Sequence, residues 1–329
     1  MSESQTIGIL AKHTVRAQHP GSDIMAGMAE TSSSILNPLH LGRDAGAPKY
    51  HTGPAWAAVM GLQVLRAMHK DLAYRARRAA VEPEIEQAVS AMLRDGVVLI
   101  PDFLPAEQFA AVRAEFDAMA ASGRFSRSWP EHVDVAEDYC AVKPNKPSAI
   151  SQHLVRNPFL TAVAAAVTRR AVRILPRVSA RAWRHMSGRQ RANLTGAAYI
   201  HADIHYPTCK AWLYLNDIDE GNGAFIFCKG SQKMTPARLA YEYEASIRVA
   251  RNRHTSSNNG LLRKPTEQQI SAMNLRETSM CGKANTLLIA NTQGFHRMGE
   301  FSDERPREKI YICFREVESA QNRRAPKAR

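Results

Sequence analysis

His201, Asp203 and His296 are the residues of this chain whose types and spacing could hold a metal ion. Two imidazoles and one carboxylate on one side of an ion leave its remaining positions open, an arrangement suited to Fe(II). Arg307 stands eleven residues after His296, directly behind Pro306. Its planar fork can take a carboxylate through two parallel hydrogen bonds beside such a metal. Arg305, two residues earlier, is the competing guanidinium. A chance H-x-D is common in a chain with 12 histidines, and such a pair is more often a satisfied hydrogen bond. The argument for a metal therefore grows only with the setting of these residues.

That setting is a succession of strands. The run Ala197–Tyr206 carries strand formers at Tyr199, Ile200, Ile204 and Tyr206. Strand side chains alternate with period two, so His201 and Asp203 project together; a helix would want ligands three or four residues apart. The third ligand must come from a second strand, and Leu287–His296 supplies an apolar run ending in a histidine. Between them, Thr208–Asp217 and Ala224–Cys228 read as strands. The turn residues Glu220-Gly221-Asn222-Gly223 between those runs predict a hairpin. His205 completes an H-x-D-x-H pattern and stands open as an outer support, a substrate contact or a rival ligand.

This order of motifs resembles the phytanoyl-CoA dioxygenase family of Fe(II)/2-oxoglutarate oxygenases, over roughly residues 92–315. The resemblance starts at Leu93-Arg94-Asp95-Gly96-Val97-Val98-Leu99-Ile100-Pro101-Asp102-Phe103-Leu104-Pro105. It runs through His201-Ala202-Asp203, Leu215–Gly223 and Lys229-Gly230-Ser231, and ends with His296 and Glu304-Arg305-Pro306-Arg307. It implies a mainly β fold with flanking helices, a double-stranded β-helix or jelly-roll barrel. It further implies that His201, Asp203 and His296 hold Fe(II), with 2-oxoglutarate and O2 as cosubstrates. Arg307 would take the distal carboxylate of 2-oxoglutarate, since the family's arginine usually stands eleven residues after the distal histidine. Where relatives often carry a hydroxyl residue two after that histidine, this chain has Met298, so Thr286 or Thr292 would have to help instead. Asp203 occupies the position that halogenating relatives vacate, which disfavours halogenation. The implied reaction hydroxylates a C–H bond with release of succinate and CO2.

Composition bounds the remaining choices. With 44% hydrophobic residues in 329, the chain can build a sizeable core. Cys140, Cys209, Cys228, Cys281 and Cys313 are odd in number and lack C-x-x-C spacing, which predicts free thiols in a reducing compartment. The longest apolar run, Ala55–Leu65, is too short to span a bilayer, and no secretory signal is visible, so a cytoplasmic protein is expected. The organisation expected is an extension over residues 1–80, irregular except for a helix near 56–68 with an apolar side. An oxygenase domain follows over 81–318, with a basic insert at 234–280, and residues 319–329 form a basic tail. Glu82–Leu93 and Ala106–Ala121 read as helices, the latter with Phe109, Val112, Phe116 and Met119 on one face.

Forty-four Lys and Arg against 31 Asp and Glu give a net charge of +13, which favours anionic partners. The excess gathers at Arg169–Arg191 and at Arg238–Lys264. If the second insert folds over the site, Arg248, Arg251, Arg253 and His254, with His205, are candidate contacts for a small anionic substrate; a solvated basic surface is the plainer alternative. Two other readings stay open. One is a basic nucleic-acid-binding protein, which has only charge to support it. The other is a cupin-like barrel without catalysis. Oligomeric state and substrate identity are not legible.

Overall fold

The computed structural model describes residues 55–76, 81–127, 135–143, 146–169, 172–174, 178–185, 199–252, 263–302 and 304–316. Among these, β1 (Val97–Ile100), β2 (Ser126–Arg127), β3 (Val135–Val142), β4 (Val172–Ile174), β5 (Val178–His185), β6 (Cys209–Tyr214), β9 (Leu287–Asn291) and β11 (Arg307–Glu316) form one antiparallel sheet. Its order is β1-β9-β6-β11-β5-β3-β2, with β4 also paired to β11. A smaller sheet runs β10-β7-β8, from β7 (Phe225–Cys228), β8 (Glu277–Met280) and β10 (His296–Met298). These are the two facing sheets of a double-stranded β-helix with helices packed outside.

Alternation along the strands makes both faces of the larger sheet apolar for different reasons. Ala211, Leu213, Leu287, Ile289, Ile310 and Ile312 face a layer of helices. Trp212, Tyr214, Leu288 and Ala290 face Phe227 and Met280 of the smaller sheet. The helical layer is built from amphipathic segments. Helix α3 (Pro83–Asp95) starts with Pro83 in its first turn, places Glu84 and Glu86 near its positive end, and buries Ile85, Ala88, Val89 and Met92. It stops at Gly96, whose φ of 81° allows its N–H to reach the Met92 carbonyl. Helix α4 (Ala106–Ala121) buries Val112, Phe116 and Met119, while Phe109 is only partly covered. Helix α5 (Pro158–Thr168) is capped by the Asn157 side chain, which accepts from the Leu160 N–H.

Two sequence expectations are corrected here. Gly221-Asn222-Gly223 does not close a hairpin, because β6 and β7 belong to different sheets. Asn222 is instead turned into its own loop. Its side-chain oxygen accepts from the Asp219 N–H, and its amide donates to the Asp217 carbonyl. The loop thereby carries the chain across from one sheet to the other.

The second correction concerns the helix expected at 56–68. It is two helices, α1 (Ala55–Val59) and α2 (Leu62–Ala76), broken at Gly61 with φ 81°. Their apolar side is turned outward: Trp56, Met60, Leu65 and Met68 are exposed. Gln63, Arg66 and Lys70 are buried instead. The reason lies on helix α6 (Pro236–Asn252), where fully buried Glu242 accepts from Gln63 at 3.0 Å. Burying a carboxylate demands charged and hydrogen-bonding partners, and α2 brings its polar face to meet that demand.

Candidate metal centre

The ligand candidates sit on two chain segments joined by backbone hydrogen bonds. His201 N–H donates to the His296 carbonyl at 2.9 Å, and His296 N–H returns to the His201 carbonyl at 2.8 Å. Asp203 N–H donates to the Thr292 carbonyl at 2.9 Å. The expected strand through residues 199–206 is reduced to this bridge at His201; beyond it the chain bends. The i, i+2 relation survives the bend, and the side chains of His201, Asp203 and His296 present ligand atoms all within 4.8 Å of one another. His201 Nε2 lies 3.9 Å from Asp203 Oδ1.

The donor chemistry fits a divalent transition metal. His201 Nδ1 lies 2.8 Å from the Tyr199 carbonyl, and His296 Nδ1 lies 2.9 Å from the Gly294 carbonyl. A carbonyl only accepts, so both Nδ1 atoms carry the proton, which leaves each Nε2 with a lone pair available to a metal. Burial, with a smaller push from His201, lowers the His296 pKa to about 3, so its ring is neutral and able to ligate at ordinary pH. Phe227 stacks on the His296 ring at 6.4 Å, and Phe225 lies 5.3 Å from it, walling this side with apolar surface.

Sequence reasoning missed Lys210. It is the one charged residue of β6, and alternation puts it on the same face as Trp212 and Tyr214. Its ammonium forms an ion pair with Asp203 Oδ2. The signal was available in the period of that strand: a lone lysine between Cys209 and Ala211 points inward.

The two arginines are cleanly separated. Arg307 is 3% exposed and lies on the inner face of β11, its guanidinium 5.2 Å from the rings of both Trp183 and Phe301. It donates to the Gly223 carbonyl. Arg305 is half-exposed and makes a two-bond ion pair with Asp219 at 2.8 and 2.9 Å. Thr286 and Thr292 are buried, and the Thr292 hydroxyl has no hydrogen-bond partner among the described residues. Met298 lies on β10 opposite Phe225. Cys209 is buried and its thiol pKa is pushed up to about 12 by burial, so it sits in the core as a neutral thiol. The five cysteines are free.

His205 does not join this group. His205 turns away from the triad into the surroundings of Glu242. Glu242 binds Arg238 at 3.1 Å and Arg263 at 3.4 Å. Arg238 also donates to the Gln293 carbonyl at 3.0 Å, and Gln293 donates to the His205 carbonyl at 3.1 Å. Helix α6 thus braces the metal-bearing segments from behind. Its Tyr241 and Ala245 pack with Ala202 and Phe295, the neighbours in sequence of His201, Asp203 and His296. The described part of the insert therefore buttresses the metal-bearing segments. Arg248 is partly exposed and near Glu244, Arg251 is exposed, and Arg253 and His254 lie outside the described residues.

These environments set the acid response. Burial lowers the His205 pKa to about 4, as it lowers that of His296 to about 3, against an ordinary 6.5. Between those values the unfolded chain binds protons that the folded chain refuses. The stabilisation is complete above 6.5 and is lost as pH falls. Burial alone would raise Glu242, but Arg263 and Arg238 hold it down at about 2, so its contribution is also lost in acid, below its ordinary 4.5. Urea unfolding of the metal-free protein should show stability falling from pH 6.5 to pH 4 by roughly 1.4 kcal/mol per pH unit for each histidine. His205→Leu should remove about half of that slope, and an unchanged slope would show that His205 is protonated in the folded state.

The family model for phytanoyl-CoA dioxygenase (PhyH) matches residues 92–277, more than half of the 329-residue chain. The chain belongs to the phytanoyl-CoA dioxygenase family. It is accordingly a non-haem Fe(II)/2-oxoglutarate-dependent enzyme. The matched span includes His201 and Asp203 and stops before His296, which the fold brings beside them. No curated protein matches the sequence. Among solved structures, the non-heme alpha ketoglutarate dependent epimerase SnoN from nogalamycin biosynthesis is similar at 17% identity and a TM-score of 0.50. That match covers 70% of this chain and 83% of SnoN. HygX from Streptomyces hygroscopicus, with nickel, 2-oxoglutarate and hygromycin B bound, aligns at 13% identity and a TM-score of 0.43, over 70% of this chain and 87% of HygX. EctD from S. alaskensis, in its apoform, aligns at 12% identity and 0.45, over 70% and 76%. At such identities the likeness to SnoN speaks for the fold alone. No helix among the described residues is long and apolar enough to cross a membrane.

Proposed function

We propose that this enzyme hydroxylates a C–H bond of a small anionic molecule, using His201, Asp203 and His296 to hold Fe(II) and Arg307 to hold 2-oxoglutarate. The observation that carries the reading is the convergence of two Nε2 lone pairs and one carboxylate, with both Nδ1–H groups tied to backbone carbonyls. Iron bound there would couple oxidative decarboxylation of 2-oxoglutarate, giving succinate and CO2, to insertion of the second oxygen atom of O2 into the substrate C–H bond.

The protein's own contribution is placement and exclusion. His201 and His296 offer fixed tautomers, and Asp203 offers a carboxylate oxygen where a halide would otherwise need room. Arg307 lies buried between aromatic rings, where a bidentate carboxylate contact is shielded from water. Thr292 adds a buried hydroxyl free to serve a ligand, in place of the hydroxyl that Met298 cannot supply. Phe225 and Phe227 keep water from the His296 side of the centre. An anionic substrate is supported by partly buried cations on the inner face of the larger sheet. Lys309 stands between Trp183 and Trp212, and Arg181 lies 4.4 Å from the Tyr311 ring.

Anaerobic addition of Fe(II) and then 2-oxoglutarate should produce a weak visible charge-transfer band, and admission of O2 should release succinate. His201→Ala should lose both. Succinate formation by His201→Ala at the parent rate would sink the assignment of the triad.

A further inference from the structure

We infer that Lys210 is a positioning residue of the metal centre: it clamps one oxygen of Asp203 so that the carboxylate offers only the other to the metal. The inference rests on the proposed metal reading and deepens it. The two carboxylate oxygens already have different partners. Oδ1 faces His201 Nε2 at 3.9 Å, while Oδ2 is paired with the Lys210 ammonium. The pair is shielded from water, since 20% of the Lys210 side chain and 12% of that of Asp203 are exposed.

Lys210 is also anchored more firmly than a surface lysine. Its strand lies inside the larger sheet, with Lys210 opposite Ala290 of β9 on one side and Cys313 of β11 on the other. Asp203 lacks such a frame. It follows the bridge at His201 in a bent segment, where its N–H donates to the Thr292 carbonyl. A carboxylate on a bent segment can swing and chelate an ion with both oxygens, which would occupy a position needed by the cosubstrates. An ammonium on a rigid strand prevents that swing by keeping Oδ2 engaged. The orienting partner that each histidine finds in a backbone carbonyl, Asp203 finds in Lys210.

A lysine that orients and a lysine that merely adds charge make opposite predictions. An ammonium beside the site repels a divalent cation, so removing a mere neighbouring charge should tighten metal binding. Removing an orienting partner should weaken it, by roughly 10–100-fold for groups that hold metal ligands. The test is calorimetric titration of the metal-free protein with Co(II) alone. The parent, Lys210→Met and Lys210→Arg are compared, with His201→Ala as the control for the site. The expected result is a Co(II) dissociation constant raised roughly 10–100-fold in Lys210→Met. Lys210→Arg should stay within about threefold of the parent, because a cation still holds Oδ2. Unchanged or tighter binding by Lys210→Met overturns the inference while leaving the metal centre intact. Equal weakening in Lys210→Arg also overturns it, since a retained cation would then not suffice. Absence of Co(II) binding by the parent, or binding undiminished in His201→Ala, overturns the metal centre and this role with it. Should Lys210→Met not fold, Lys210→Gln takes its place with the same expectations.

Discussion

Glu242→Ala is expected to lower the free energy of unfolding by about 3–5 kcal/mol, the cost of breaking a buried ion pair from one side. Glu242 has no solvent exposure, and Arg238 and Arg263, each 1% exposed, would be left with buried charge and no carboxylate to meet it. The loss should spread beyond α6, because the same carboxylate accepts from Gln63 of α2 and Arg238 also holds the Gln293 carbonyl. Urea denaturation at pH 7 measures it, as a lower midpoint at unchanged slope. Arg75→Ala is the control: its pair with Asp71 is 65% exposed on the arginine side, and an exposed pair contributes about 0–1 kcal/mol. A Glu242→Ala midpoint no lower than that of the control would mean that the cluster is not buried as described.

Arg307→Ala should weaken 2-oxoglutarate binding by about 2–5 kcal/mol, because a carboxylate brought to this buried position would lose its bidentate partner. Arg305→Ala should cost under about 1 kcal/mol, since its guanidinium is half-exposed and engaged with Asp219. Calorimetry on the Mn(II)-loaded variants separates the two. A larger loss for Arg305 would transfer the carboxylate to that residue and would require β11 to start earlier than Arg307. Metal affinity measured without 2-oxoglutarate should be unchanged in both variants, because neither arginine is among the grouped ligand residues.

Some of this was legible in the sequence for plain geometric reasons. His201 and Asp203 are two apart, and that spacing keeps two side chains together even where the strand gives way to a bend. Arg307 could be ranked above Arg305 only through the family resemblance; their different burial was not legible. What was not legible depends on partners far away in the chain. The apolar side of α1 and α2 suggested a buried stripe at Trp56, Leu65 and Met68, yet those residues face outward. No local rule could have shown it, since the choice of face is dictated by Glu242, 179 residues beyond Gln63. The turn at Gly221-Asn222-Gly223 failed as a hairpin for a similar reason. Turn chemistry reports that the chain reverses, not which sheet receives the next strand. Lys210 was legible in the period of β6, and was missed because a lone lysine reads as exposed until its strand is known to lie inside a sheet.

The distance between Gln63 and Glu242 also orders events during synthesis. Helix α2 leaves the ribosome first, with Gln63, Arg66 and Lys70 on the face destined for the interior. At roughly 5–20 residues per second, 179 further residues take about 10–35 seconds to arrive. Throughout that interval the nascent helix has no reason to fold inward, and water satisfies its polar face well. The larger sheet waits in the same way, since β1 at Val97–Ile100 pairs with β9 at Leu287–Ala290. Docking of α2 and closure of the sheet edge must therefore both wait for segments made well over a hundred residues later. Chaperones would meet this chain with α2 already made and still unattached.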